Sequence, residues 1–289
     1  MRFEITHTTD YRYECSASEA YVEARLTPPS LLSQKVDRHK ITFDPPAPLS
    51  FYTDYFGNSV AFYSMVKRHE HLQVINQLRV TTSLTERPSA ALDLTVGEAR
   101  QIFSSVATDV FDYLRPSVAV TTGGEAANWA RRLLKPDATL SDSLGALNRA
   151  IYEGFSYREG ATDNGTPLAA VWKARAGVCQ DFAHIMLSVL RTARLPARYV
   201  CGYIETDQSS SADRLIGAVA THAWVEVLVP GMVWVPLDPT NNQWCGERHV
   251  AVSFGRDFAD ATPLRGTFKG NGGQKMSVKV EMKRKEVGP

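Results

Sequence analysis

Three residues of this chain, Cys179, His222 and Asp238, are of the types that thiol acyl chemistry needs. A cysteine attacks a carbonyl as its thiolate, so it needs a neighbouring base. That base in turn needs a carboxylate to hold its tautomer and stabilise its cation. Cys179 lies in RAGVCQDFAHIMLSVLR, residues 175–191. There Gly177 can turn the chain, and Phe182, Met186 and Leu190 recur every four residues, a helical spacing. A helix starting near Cys179 would surround the sulfur with unpaired N–H groups and the positive end of the dipole, both of which favour the thiolate. His184 is the nearest histidine in sequence, but five helical steps of about 100° place it roughly 140° around the helix from Cys179. It is expected to face elsewhere.

His222 opens the run HAWVEVLV, in which His222, Trp224, Glu226 and Leu228 share one face of a strand. Pro230-Gly231-Met232 can reverse the chain, and Val233 to Leu237 returns. If Val229 pairs with Val233, His222 falls opposite Thr240, and Asp238 lies diagonally across on the same face. A hairpin can therefore deliver a base and its carboxylate together. Each residue also has an ordinary reading: a small apolar cysteine, a structural strand histidine, and a turn aspartate before Pro239. The conjunction in chain order points to chemistry.

An acyl intermediate also needs oxyanion donors. The Cys179 backbone N–H is one, Gln180 and Trp172 are side-chain candidates, and Trp224 could line an acyl-binding cleft on the face of His222. Asp181 sits where a first-turn acid suits the helix dipole. The other cysteines, Cys15, Cys201 and Cys245, form no C-x-x-C pair, and neither a D-x-D-x-D-G loop nor a glycine-rich phosphate loop is present. No metal and no organic cofactor is expected.

The rest of the chain must position these groups. Residues 3–9 alternate as Phe3, Ile5, His7, Thr9, and Tyr11 and Tyr13 continue the odd positions. Short strands follow at 22–26, 39–43, 60–66 and 72–80, with DYFGN at 54–58 as a turn. Helices are predicted over 125–135, over 141–153 with Ser141 or Asp142 as cap, and over 166–174 with Pro167 at the first helical position. Strands return at 198–205, 222–229 and 233–237, Ser209 to Ser211 form a polar loop, and the tail alternates at Met276, Val278, Val280 and Met282. The order β, α, β predicts an α+β core behind an all-β N-terminal sandwich or barrel. The expected domains are residues 1–90 and residues 91–289, the latter including a C-terminal β segment.

With 32 basic against 31 acidic residues the net charge is +1, which argues against a nucleic-acid partner. No run approaches about 18 apolar residues, so no membrane partner is expected. MRFEITHTTDYRYE lacks the apolar stretch of a secretory leader, and few, scattered cysteines suit a reducing cytoplasm.

G-V-C-Q-D-F-A at 177–183, H-A-W-V-E-V at 222–227 and D-P-T at 238–240 resemble the three core motifs of the transglutaminase-like superfamily, a branch of the papain-like cysteine enzymes. HTTDYRY at 7–13, RLTP at 25–28, DYFGN and GRDFADATPLRGTFKG at 255–270 resemble segments of its bacterial members, so the likeness spans nearly the whole chain. It implies a papain-like core with Cys179 as nucleophile, His222 as base and Asp238 as orienting acid. It also implies a peptide or protein amide as substrate and a thioester intermediate. Water as acceptor makes a cysteine peptidase or amide hydrolase, the favoured reading. An amine acceptor makes a protein-glutamine transamidase, and a non-catalytic peptide-binding scaffold is the third possibility.

Overall fold

Alternation of apolar and polar side chains builds the first strand, β1 (Arg2–Ala17), and buries Phe3, Ile5, His7 and Thr9 on one face. The computed structural model describes residues 1–205 and 220–285. The same period runs through β2 (Glu19–Thr27), β3 (Gln34–Asp44), β4 (Leu49–Thr53), β5 (Ser59–Met65) and β6 (His69–Thr82). Helices then dominate: α1 (Ser89–Leu92), α2 (Val96–Ser105), α3 (Phe111–Leu114), α4 (Gly124–Leu133) and α5 (Leu140–Gly154). The short parallel pair β7 (Ser156–Tyr157) and β8 (Ala176–Gly177) brackets α6 (Leu168–Ala174) and leads into α7 (Cys179–Thr192). Next come β9 (Ala197–Ile204), β10 (His222–Val229), β11 (Val233–Asp238), β12 (Gln243–Trp244) and β13 (His249–Gly255). The last elements are α8 (Phe258–Ala261), β14 (Leu264–Lys269) and β15 (Gln274–Lys285).

The N-terminal strands form two four-stranded sheets, β15-β1-β6-β3 and β14-β2-β5-β4. Between them lie Val22, Ala24, Leu26, Tyr63, Leu72 and Val74, and the ring of Phe43 stacks on Tyr63 at 4.5 Å. This is the sandwich alternative rather than a barrel, because each sheet keeps its own edges. The division at residue 90 does not follow the strand pairing at the far end of the chain. β14 and β15, grouped with the core in the sequence reading, hydrogen-bond to β2 and β1. Each supplies an outer strand to an N-terminal sheet, and the alternation at Met276, Val278, Val280 and Met282 belongs to a strand paired with β1, whose Val280 and Met282 pack on the apolar cluster joining the sandwich to the core.

The core is a five-stranded antiparallel sheet, β12-β11-β10-β9-β13, with α7 packed on it. Helix α7 is buried almost all round, from Phe182 and Ile185 through Leu190. The helix over 141–153 is present as α5, with Leu144, Leu147 and Ile151 buried as its period requires. Its cap is Thr139, whose hydroxyl accepts from the Asp142 N–H at 3.1 Å, so Asp142 is the first-turn acid and not the cap. Pro167 stands one place earlier than expected, as the N-cap of α6. The loop expected at Ser209 to Ser211 lies outside the described residues.

Arg256 and Asp257 lock the chain after β13 onto the core. The Asp257 carboxylate accepts from the Ala119 N–H at 2.8 Å and caps α8 through the Ala259 N–H at 2.9 Å, while Arg256 pairs with Asp260. Buried Arg191 of α7 donates to the carbonyls of Arg115, Ala197 and Arg256.

Candidate active site

The start of α7 sets the position of the cysteine. Val178 is extended, and its N–H donates to the Asp181 carboxylate at 2.8 Å, the acid-to-backbone half of a capping box. Asp181 is buried and also accepts from the Thr162 hydroxyl at 2.6 Å, which ties the 158–166 loop to the helix start. Burial raises its pKa, and these two hydrogen bonds pull against that rise. Gly177 is required here because a Cβ would stand 2.5 Å from the Asp181 carboxylate oxygen. Cys179 is thus the first residue of the helix, 9% exposed, on a turn whose leading N–H groups have no intrahelical acceptor.

The β10–β11 hairpin pairs Val229 with Val233 and Val225 with Leu237, the register expected from the turn. It brings His222 and Asp238 together: His222 Nε2 donates to Asp238 Oδ2 at 2.8 Å, with both side chains fully buried. Asp238 is aimed by its own turn. Its Oδ1 accepts from the Thr240 N–H at 2.9 Å and the Asn241 N–H at 3.2 Å, an Asx turn, and its Oδ2 accepts from Asn241 Nδ2 at 2.7 Å. His222 Nδ1 is buried with no formed hydrogen bond and faces the field of Cys179.

The electrostatics of the pair follow from its isolation. Burial by itself would lower the His222 pKa, but the Asp238 charge, their hydrogen bond and Cys179 outweigh it and raise the imidazole to about 10. Burial would likewise raise Asp238, and the His222 charge together with hydrogen bonds from His222 and His249 holds it far below the usual carboxylate range. An ionised carboxylate, a readily protonated imidazole and a thiol at a helix start can sustain a thiolate–imidazolium pair.

His249, on β13, was not singled out in the sequence. Its Nε2 donates to the same Asp238 Oδ2 at 3.3 Å, and its Nδ1 accepts from the Gly246 N–H at 3.4 Å. The available signal was a histidine opening the apolar run HVAVSF, eleven positions after the aspartate; no spacing rule links the two. His222, Asp238 and His249 offer metal-ligand atoms within 4.8 Å of one another. Both imidazole Nε2 atoms are engaged with the carboxylate at hydrogen-bond distances, and the trio is a hydrogen-bonded cluster.

The remaining sequence candidates fall in different places. Gln180 is half-buried in the first turn of α7, next to the cysteine. Trp172 is buried against Trp129 and Phe155, with the Arg175 guanidinium 5.4 Å from its ring, and packs in the helical core. Trp224 is 2% exposed and lies beneath the two histidines, its ring 6.1 Å from His222 and 5.3 Å from His249. A side chain so covered is a floor for the site and not the wall of an open cleft. Gly202, paired with His222 across β9, leaves the space that the Trp224 ring fills. His184 faces away from the site, as its helical angle requires. Its Nε2 accepts from the Phe258 N–H at 3.2 Å, and burial lowers its pKa to about 4 against the pull of Asp257.

An α+β core with a helix-start cysteine facing a hairpin histidine and aspartate defines a papain-like thiol protein. Residues 127–239 match the transglutaminase-like superfamily core, and residues 3–81 match the bacterial transglutaminase-like N-terminal region. An uncharacterized protein of Mycobacterium tuberculosis is 36% identical over 279 residues, covering 92% of this chain and 87% of its own. An uncharacterized protein of Mycobacterium leprae is 31% identical over 285 residues, covering 98% and 99%. The chain therefore belongs to the transglutaminase-like superfamily. A protein-glutamine gamma-glutamyltransferase of Pseudomonas aeruginosa is 34% identical over 97 residues, which is 32% of this chain and 14% of that protein. The crystal structure of a Cytophaga hutchinsonii protein, classed provisionally as a cysteine protease, shares the fold. It has a TM-score of 0.73 at 21% identity and covers 100% of this chain and 93% of its own. Among the described residues no helix is long and apolar enough to cross a membrane.

Proposed function

We propose that this protein is a cysteine-dependent enzyme acting on amide bonds, with Cys179 as nucleophile, His222 as base and acid, and Asp238 as the orienting carboxylate. The observation that carries this reading is the disposition of the His222 ring. One nitrogen is committed to a buried, five-fold hydrogen-bonded carboxylate, and the other is left buried and unbonded toward Cys179. The Cys179 thiolate adds to the carbonyl carbon, and the N–H groups at the start of α7, with Gln180 beside them, receive the developing oxyanion. The imidazolium then protonates the leaving amine, so the C–N bond breaks and a thioester to Cys179 remains. An acceptor, deprotonated by His222, attacks the thioester and returns the thiol.

With water as acceptor the outcome is hydrolysis of a peptide or isopeptide bond, the favoured reading, because water needs no binding site of its own. The second reading, transfer to an amine, is favoured by the stretch shared with a protein-glutamine gamma-glutamyltransferase. The test is incubation with a peptide library, with and without a primary amine, read by mass spectrometry. Cleaved or deamidated products in both arms support hydrolysis, and amine adducts in the second arm support transfer. Equal product from a folded Cys179→Ala variant would remove the cysteine from the reaction.

A further inference from the structure

The triad is built from α7, β10 and β11, yet its carboxylate is also held from β13, which forms one edge of the core sheet. That edge is sealed by two side-chain amides of the N-terminal sandwich. Gln34 donates its Nε2 to the Ala251 carbonyl at 2.8 Å and accepts from the Ala251 N–H at 2.9 Å. Asn58 does the same at Phe254, donating at 2.7 Å and accepting at 2.8 Å. Each amide copies a strand neighbour, and both are at most 4% exposed. They flank the irregularity where β13 shifts register on β9 between Ala251 and Ser253. Just before β13, the Thr82 hydroxyl donates to the Glu247 carbonyl at 2.7 Å. Phe3, Ile5, Leu78 and Val80 of the sandwich pack on Val250 and Val252. The clamped strand begins with His249.

Two histidines share one carboxylate oxygen in different states. The Gly246 N–H occupies His249 Nδ1, so the ring's proton sits on Nε2 and points at Asp238. Burial keeps His249 below the ordinary imidazole pKa against the pull of Asp238, so it donates a hydrogen bond without carrying charge. Cys245 faces the same carboxylate and stays a neutral thiol, raised by burial and then by Asp238 and Glu226. The cation is thereby left to His222.

We propose that His249 is a positioning residue of the triad and that the N-terminal sandwich, by clamping β13 through Gln34 and Asn58, holds it against Asp238. The inference rests on the triad reading above. It makes the sandwich part of the site's machinery whatever else it binds.

The test follows the rate of Cys179 alkylation by iodoacetamide against pH in the full chain, by peptide mass spectrometry, with Tm recorded for each variant. The acid limb of that profile reports thiolate–imidazolium formation. His249→Phe, which removes the donor, is expected to move the limb to higher pH by about one unit, roughly tenfold slower alkylation at a fixed pH on the limb. His249→Gln restores an N–H donor and should recover most of that shift. Gln34→Met and Asn58→Leu should move the limb the same way, by about threefold in rate. A purely structural histidine would lower Tm and leave the limb in place, and loss of charge sharing alone would move it to lower pH. Either result in folded His249→Phe overturns the proposal, as does a limb unmoved in both clamp variants. A wild-type Cys179 alkylated no faster than the exposed Cys15 would instead sink the triad itself.

Discussion

At the residue scale the site is governed by one carboxylate. Asp238 is completely buried and stays ionised because its oxygens are met by donors on every side, two of them backbone N–H groups of its own turn. Asp238→Asn would place an NH2 group against donors while keeping the shape. A correctly folded Asp238→Asn protein is expected to lose at least roughly tenfold in kcat/KM, about 1.4 kcal/mol of transition-state stabilisation. Full activity there would remove Asp238 from the mechanism. The titrations also predict how stability varies with pH. His222 is raised to about 10, so its contribution is complete below the unfolded value of about 6.5 and is lost as pH rises toward 10. Burial lowers His7 to about 4 and His184 to about 4, and both must stay neutral, so stability is also lost as pH falls from about 6.5 toward 4. Thermal unfolding across that span should show a maximum near pH 6.5. A His222→Gln variant should have a flatter alkaline side; an unchanged slope would exclude His222 as its source.

At the element scale the cysteine depends on a helix start that cannot move. Gly177→Ala would push a methyl into the Asp181 carboxylate, which caps the helix and holds Thr162. The expected cost is about 1–3 kcal/mol, the usual range for forcing an extra methyl into a packed site, with slower Cys179 alkylation. Wild-type Tm and labelling in Gly177→Ala would show that the turn accommodates a side chain. The hairpin was legible because its register follows from Pro230-Gly231-Met232 and the period of two. Helix α2 was not read, although Thr95 and Glu98 carry a full capping box, Glu98 N–H to Thr95 Oγ1 at 3.2 Å and Thr95 N–H to Glu98 Oε2 at 2.8 Å. Its T-x-x-E signature was present, but Ile102, 40% exposed beside Phe103, blurs the apolar period of Val96, Ala99 and Phe103.

At the scale of the whole molecule the first and last strands of the described residues meet. β15 pairs with β1 from Arg2–Lys285 to Tyr13–Gln274, and β14 pairs with β2. Removing residues 264–289 would expose the edge of β1 and strip one strand from each sandwich sheet. Such a truncation is expected to lose cooperative unfolding of the sandwich and to become protease-sensitive within residues 1–82. A truncated chain with the full-length Tm would show that the closing strands add nothing to stability. The junction with the core combines the apolar packing of Phe3, Ile5, Leu78 and Val80 on Val250 and Val252 with a few buried polar contacts. One is the His7 Nδ1–Tyr203 Oη hydrogen bond at 2.9 Å; another is the Asn58 amide on Phe254.

The sequence alone singled out Cys179, His222 and Asp238 as candidates and determined the helix that begins at Cys179 and the hairpin that aligns His222 with Asp238. Each depends on local chemistry: a glycine turn, a four-residue apolar period, and a two-residue alternation closed by Pro-Gly. The turn at DYFGN was legible for the same reason, since Asp54 accepts the N–H groups of Phe56 and Asn58 and Gly57 takes a positive φ of 83°. Only the tertiary structure decided that Asn58 spends its amide on β13, that β15 returns to β1, that Trp224 is a floor beneath two histidines, and that His249 reaches Asp238. Those contacts join segments far apart in the chain. Their partners are chosen by which faces remain unburied once the local elements have formed, and no spacing within a single segment encodes that choice.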